Sequence, residues 1–380
     1  MSGFIQSLTF LEQIYIVLAT TKGVGPKTLA RLMAAADIDS LYSWDSEQFK
    51  QCGVGKKTQQ SILQNSLSHP SKELEELLAW QQSSSSHHVI TPFSAEFPEC
   101  LKHIALPPPM LTVKGSLTAL SLPQVAIVGS RHPSDQAQTH AYEFAFAMAN
   151  SGLGVASGLA TGVDTHAHQG AIDAGGATIA VLGSGLNRIY PPQNKRLAEQ
   201  LCEKGALVSE FPVSTPPHPG QFPRRNRIVS GLSLGVLVVE AHLKSGSLIT
   251  ARQGLEQNRD VFAIPGNIHN PQKSGCHHLI RQGATLVETP QQIMQDLQWQ
   301  VENHRAQRNS VSPALSNANV PMPEGMNSEQ YQVYKRLDYE GISLDGLLAI
   351  TGLSVSQLGE LLLDMELNNW VKQGQGLYFR

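Results

Sequence analysis

Between residues 125 and 287 the chain alternates short, unbroken apolar runs with longer stretches of helical period. The runs fall at residues 125–128, 153–156, 178–182, 206–208, 236–239, 261–264 and 285–287 and are rich in Val and Ile. A strand that is apolar at every position is covered on both faces, and strands separated by helices pair in parallel. The pattern predicts an α/β fold: a doubly wound, mostly parallel, Rossmann-like sheet.

The flanks read differently. From residue 10 to about residue 80 the period is helical. Gly23-Val24-Gly25-Pro26-Lys27 and, thirty positions later, Gly53-Val54-Gly55-Lys56-Lys57 each lead into a helix. Such a turn exposes backbone amides beside a lysine, as in helix-hairpin-helix modules that grip a DNA phosphate. Tight turns alone account for the same glycines. Ser83 to Ser86 with His87-His88 form a polar connector, and Pro107-Pro108-Pro109 punctuates an extended stretch. Residues 304–326 are rich in Ser, Asn, Pro and Ala without periodicity and predict a flexible linker. Beyond it, helical patterns at 328–337, 344–351 and 354–368 precede a terminal hairpin, which predicts a winged helix. The expected organisation is an N-terminal helical domain (helix-hairpin-helix or SAM-like) over 1–82, the Rossmann-like domain over 83–300, a linker over 301–325 and the winged helix over 326–380. The acidic balance of that last domain favours contact with protein, or regulation, over DNA.

Composition narrows the partners. A chain of 380 residues, 41% apolar and without any run approaching a membrane span, is expected to be a globular cytoplasmic protein with no membrane partner. Residues 1–10 lack the basic start and apolar stretch of a secretory signal. Cys52, Cys100, Cys202 and Cys276 form no Cys-x-x-Cys pair, so free thiols are expected. The formal charge of −3 means that any nucleic-acid contact must come from a focused basic patch.

In open α/β sheets ligands bind beyond the carboxyl ends of the strands. Here those positions hold Gly129-Ser130-Arg131, Ser157-Gly158, Gly183-Ser184-Gly185 and Glu240-Ala241, the last followed by Lys244-Ser245-Gly246-Ser247. Glycine and serine amides, helix N-termini and a guanidinium are the equipment of an anion site. Neither a Gly-x-Gly-x-x-Gly turn nor a P-loop occurs in this role. Phe222-Pro223-Arg224-Arg225-Asn226-Arg227 adds arginines, which track phosphates, and an aromatic ring able to stack an unpaired base. The expected DNA-binding residues are Gly129, Ser130, Arg131, Ser157, Gly158, Phe222, Arg224, Arg225, Asn226, Arg227, Lys244, Ser245, Gly246 and Ser247. Asp164-Thr165-His166-Ala167-His168 has metal-like spacing without a second cluster to complete a site, and reads as an Asp cap on a helix. Glu210 and Glu240, each ending a strand, are expected to orient the arginines. No catalytic residues, metal or cofactor are expected.

These segments together resemble the DNA-processing protein A family (DprA, also called Smf). The resemblance rests on Val128-Gly129-Ser130-Arg131, Ser157-Gly158-Leu159-Ala160-Thr161-Gly162-Val163-Asp164 with Ala167-His168, and Ala180-Val181-Leu182-Gly183-Ser184-Gly185. It continues through Tyr190-Pro191, Asn194, Ser209-Glu210, the 222–228 segment, Gly231-Leu232-Ser233, Val238-Val239-Glu240-Ala241, 245–251 and Ile264-Pro265-Gly266. It implies binding of single-stranded DNA through the Rossmann-like domain, a homodimer formed through that domain, and delivery of incoming strands to the RecA recombinase during natural transformation. It also implies that Arg131 and residues 222–227 belong to the strand-binding pocket, with Lys244 and the 245–247 turn beside it. Val163, where isoleucine is usual, and His166 are modest departures. The rival reading, from another functional class, is a nucleotide-binding or nucleotide-processing Rossmann-like enzyme, since Ser245-Gly246-Ser247 with Thr250 is similar to a loop that holds one nucleotide phosphate.

Overall fold

The computed structural model describes residues 8–35, 38–311, 323, 326–334, 337, 342–351, 353–368, 370–374 and 377–379. The chain divides into two compact units, residues 1–301 and 302–380.

The first unit is built on a nine-stranded sheet: β1 (His87–Ile90), β2 (Leu111–Gly115), β3 (Gln124–Val128), β4 (Gly154–Ser157), β5 (Thr178–Val181), β6 (Ala206–Ser209), β7 (Ser233–Val238), β8 (Asp260–Ala263) and β9 (Thr285–Leu286). Strands β3 to β9 are the seven apolar runs and pair in parallel. Their spatial order is β6-β5-β4-β3-β7-β8-β9, so the winding reverses between β3 and β7. That reversal opens a crevice at the carboxyl ends of those two strands.

The central strand shows why an unbroken apolar run is needed. Ala126 and Val128 pack on one face with Ile228, Val229 and Ala251, whereas Val125 and Ile127 pack on the other with Ala141, Phe144, Met148 and Ala167. These four side chains are buried, and period-2 alternation sends them to opposite cores.

Two strands lie outside the sequence expectation. His87-His88 does not belong to a connector. These residues open β1, which pairs antiparallel with β2, and β2 pairs antiparallel with β6. The His87 ring stacks on Trp80 at 4.3 Å, and Val89 and Ile90 are buried, so four residues suffice because the sheet is already nucleated beside them.

The N-terminal helices, Phe10–Ala19, Pro26–Met33, Ser46–Gln51, Lys56–Gln64 and Lys72–Gln82, enclose a core of their own around Leu18, Leu32, Phe49 and Ile62. Ile16, Val17, Leu74 and Trp80 join a second cluster with Ala180, Leu182 and Leu207 of the sheet. The helix Pro290–Val311 runs on through residues 301–311 of the segment read as linker, and residues 312–322 lie outside the described residues.

In the second unit, helices Ser328–Tyr334, Leu344–Thr351 and Val355–Leu367 surround Val333, Leu347, Leu358, Leu362 and Met365. Strand β10 (Ile342–Ser343) pairs with β12 (Leu377–Phe379), which pairs with β11 (Lys372–Gly374). This is the winged-helix arrangement. Among the described residues no helix is long and apolar enough to cross a membrane.

Candidate nucleic-acid interface

A cleft of about 550 Å³ lies at the β3/β7 reversal. Gly129, Arg131, Gly158, Phe222, Arg225, Asn226, Ser245, Gly246 and Ser247 all line it, although they come from four separate stretches of sequence. Ser130, Ser157, Arg224, Arg227 and Lys244 do not line it.

The loops are bound mainly to each other. Ser130 donates its amide to the Glu240 carbonyl at 2.7 Å, and Ser247 Oγ donates to the Gly129 carbonyl at 2.7 Å, which joins the loops after β3 and β7 across the crevice. Asp164 Oδ2 accepts from the amides of Gly158 (3.0 Å) and Ala160 (3.2 Å). Ser157 Oγ donates to the Ile127 carbonyl at 2.6 Å and is fully buried. The amides of Ser130, Gly158 and Ser247 thus already have acceptors, contrary to the expectation that glycine and serine turns form the anion cradle. These networks fix the shape of the rim. The charge that reaches solvent is carried by side chains.

The arginines divide by burial. Arg131 is exposed, and its guanidinium carbon sits 5.4 Å from the Phe222 ring centroid, within cation–π reach. Tyr190, 42% exposed, lies 5.8 Å from the same ring, so two aromatic rings and one free cation share the cleft wall. Phe222 fits because position 183 is glycine: a Cβ there would lie 2.6 Å from Phe222 Cδ1.

Arg225 plays another part. It is 5% exposed and donates through Nη1 to the carbonyls of Gly158 (2.7 Å) and Val181, while Nε donates to Asn226 Oδ1 at 3.1 Å. It clamps the ends of β4 and β5 to the helix Gln221–Gly231. Burial lowers its pKa to about 10, against the opposing pull of Asp164, whose own carboxyl burial raises. Arg227 is likewise buried and pairs with the wholly buried Glu210 carboxylate, which also holds Arg224 Nε at 3.2 Å. Arg224 remains 45% exposed and lies over Phe211 at 5.4 Å. Of the three arginines in the segment, one faces solvent.

Glu210 orients arginines as expected, but Glu240 does not. Its carboxylate accepts from the Ser134 amide (3.0 Å) and hydroxyl (2.6 Å), tying the start of the helix Asp135–Asn150 to the end of β7. Asp164 likewise caps a loop rather than its own helix, whose N-cap is Gly162. His168 is buried against Thr178 Oγ1 at 2.7 Å, and no cluster suited to a metal occurs among the described residues. Lys244 is exposed beside the cleft, and the Asn226 amide reaches the Gly246 carbonyl at 3.5 Å.

The contribution of Tyr190 escaped the sequence reading because it sits in an irregular loop beyond β5. Its signal was the Tyr190-Pro191 pair within the family resemblance.

Comparison with known proteins agrees with this architecture. The family model described as DNA recombination-mediator protein A matches residues 88–298, and a DprA winged helix model matches residues 318–376. The chain is 42% identical to Protein Smf of Escherichia coli (strain K12) over 320 residues, covering 83% of each chain. It is similar to the X-ray structure of DNA processing protein A from Streptococcus pneumoniae, with a TM-score of 0.65 and 33% identity over 76% of this chain and 97% of that one. It is also similar to DNA processing protein A from Helicobacter pylori, described for its single-stranded DNA binding mode, with a TM-score of 0.52 and 28% identity over 56% and 96% of the two chains. By the extent of the family match and of the Escherichia coli relative, the chain belongs to the DNA recombination-mediator protein A family, DprA or Smf.

Proposed function

We propose that this chain binds single-stranded DNA in the β3/β7 cleft and acts as a cytoplasmic recombination mediator, delivering strands to the RecA recombinase during natural transformation and working as a homodimer. The observation that carries the DNA reading is the Arg131–Phe222–Tyr190 wall: a free cation for a phosphate beside aromatic faces that only unpaired bases can reach. The likeness to the Helicobacter pylori protein, which is described as binding single-stranded DNA, supports it. RecA, the dimer and transformation are proposed from the family resemblance alone.

The cleft acts by holding rather than by reacting. Its loop hydroxyls are engaged, Ser245 donating to Ser247 and Ser247 to the Gly129 carbonyl, and Glu210 and Glu240 are bound to arginines and to Ser134. Arg131, the half-exposed Arg224 and Lys244 are three exposed cations, more than one nucleotide phosphate requires, which favours a strand over a mononucleotide.

The test is anisotropy titration of the full chain with single-stranded and duplex DNA at two salt concentrations, wild type against Arg131→Glu. The expected result is preference for the single strand, a log–log salt slope of about −0.7 per phosphate contacted, and at least about tenfold weaker binding by the variant. Undiminished affinity of Arg131→Glu, with an unchanged melting temperature, sinks the assignment. Tight binding or turnover of nucleoside monophosphates would replace it with the nucleotide-enzyme reading.

A further inference from the structure

The winged-helix unit carries the chain's charge imbalance. Residues 326–380 contain seven carboxylates against four lysines and arginines, so the formal charge of −3 resides entirely there and the rest of the chain is balanced. Within that unit the helix Val355–Leu367 contains no lysine or arginine. It follows Leu344–Thr351 in the helix-turn-helix order in which the second helix enters a DNA groove, yet its exposed surface is unsuited to phosphates.

That surface has two adjoining parts. Val355, Leu363 and Leu367 are 61%, 60% and 74% exposed and lie on one face at multiples of four residues. Gly359 continues the row, and a side chain there would meet nothing within 4 Å. Beside the row, a groove of about 570 Å³ runs between this helix and Ser328–Tyr334, walled by Glu329, Glu360 and Asp364. The amide of Gln330, itself 4% exposed, donates to Asp364 Oδ2 and fixes that carboxylate at the groove. Among the described residues no cation lines the groove.

We propose that this face docks a basic amphipathic helix of a partner protein, its apolar side against Val355, Leu363 and Leu367 and its lysines or arginines against Glu329, Glu360 and Asp364. An apolar row seats one face of a helix, and the adjacent acidic wall selects the charge of its flank. The same carboxylates repel a DNA backbone. The inference is independent of the strand-binding reading, because none of these residues belongs to the β3/β7 cleft.

The test uses the full chain and a fluorescein-labelled amphipathic helix of leucine and lysine, with its leucine–glutamate counterpart as control. The basic peptide binds saturably and the acidic one does not. The double variants Glu329→Lys/Glu360→Lys and Leu363→Ser/Leu367→Ser each weaken binding by about tenfold, while single-stranded DNA affinity and melting temperature stay unchanged. Equal peptide affinity for wild type and both variants overturns the proposal. So does displacement of the peptide by duplex DNA. So does a change in the sedimentation of the free chain on Leu363→Ser/Leu367→Ser, which would make the occupant a second copy.

Discussion

The guanidinium of Arg225 fills the space that a side chain at position 158 would need: a Cβ on Gly158 would lie 2.4 Å from Arg225 Nη2. The same guanidinium donates to the Gly158 and Val181 carbonyls, so it links three elements of the sheet edge from within. Arg225→Met removes a buried charge that partners the buried Asp164, and such one-sided removals cost roughly 3–5 kcal/mol. Chemical denaturation is expected to show a loss of that order. A variant as stable as wild type but unable to bind strands would make Arg225 a ligand contact instead.

Glu210 predicts a related cost from the acidic side. Its removal leaves Arg227, 7% exposed, without a counter-charge, whereas Arg224 can turn to solvent. Glu210→Leu and Arg227→Met are each therefore expected to destabilise, the first by roughly 3–5 kcal/mol, and the two together to recover most of the loss, since an apolar pair of similar volume is tolerated where a broken ion pair is not. Urea unfolding of the single and double variants closes the cycle. Additive losses would mean that the two side chains do not act as a pair.

Tyr190 and Phe222 are expected to separate binding from folding. Tyr190 is 42% exposed, so Tyr190→Ala removes a stacking face with little effect on the core, and its strand affinity should fall by about 1–3 kcal/mol if a base rests there. Phe222→Leu keeps apolar contact near Gly183 while removing the ring beneath Arg131, and should show a similar loss. Duplex affinity is the control. Equal losses for duplex and single strand would exclude base stacking.

These variants also mark how far the sequence could be read. The parallel strands were legible because burial on both faces demands unbroken apolar runs, as in Val125 to Val128. The gathering of Arg131 and Ser245-Gly246-Ser247 at one edge followed from strand-end positions, and that of Phe222 from the helix start it occupies. What the sequence did not distinguish was an arginine facing solvent from one facing a carbonyl. Arg224, Arg225 and Arg227 look alike in a row, yet helical rotation buries two of them against partners, Gly158 and Glu210, that lie far off in sequence. The strand His87–Ile90 was hidden for a similar reason, since its pairing depends on β2 and β6 rather than on its own pattern.

His168 supplies a pH prediction. It is fully buried, bonded to Thr178 Oγ1, and burial, with Arg225 nearby, lowers its pKa from 6.5 to about 3. Between those values the unfolded chain takes up a proton that the folded chain refuses, so the histidine's contribution is intact above pH 6.5 and is lost progressively as pH falls toward 3. From pH 7 to pH 5 the loss amounts to about 2 kcal/mol. Asp164, whose pKa burial raises, pulls the other way: its folded form favours the proton, so its contribution improves as pH falls. The histidine is therefore isolated by comparing wild type with His168→Asn, whose amide can replace Nδ1 toward Thr178 without titrating. The gap in unfolding free energy between the two proteins should move by about 2 kcal/mol in favour of the variant on going from pH 7 to pH 5. A gap that stays constant over that interval would mean that His168 charges as readily in the fold as in the open chain.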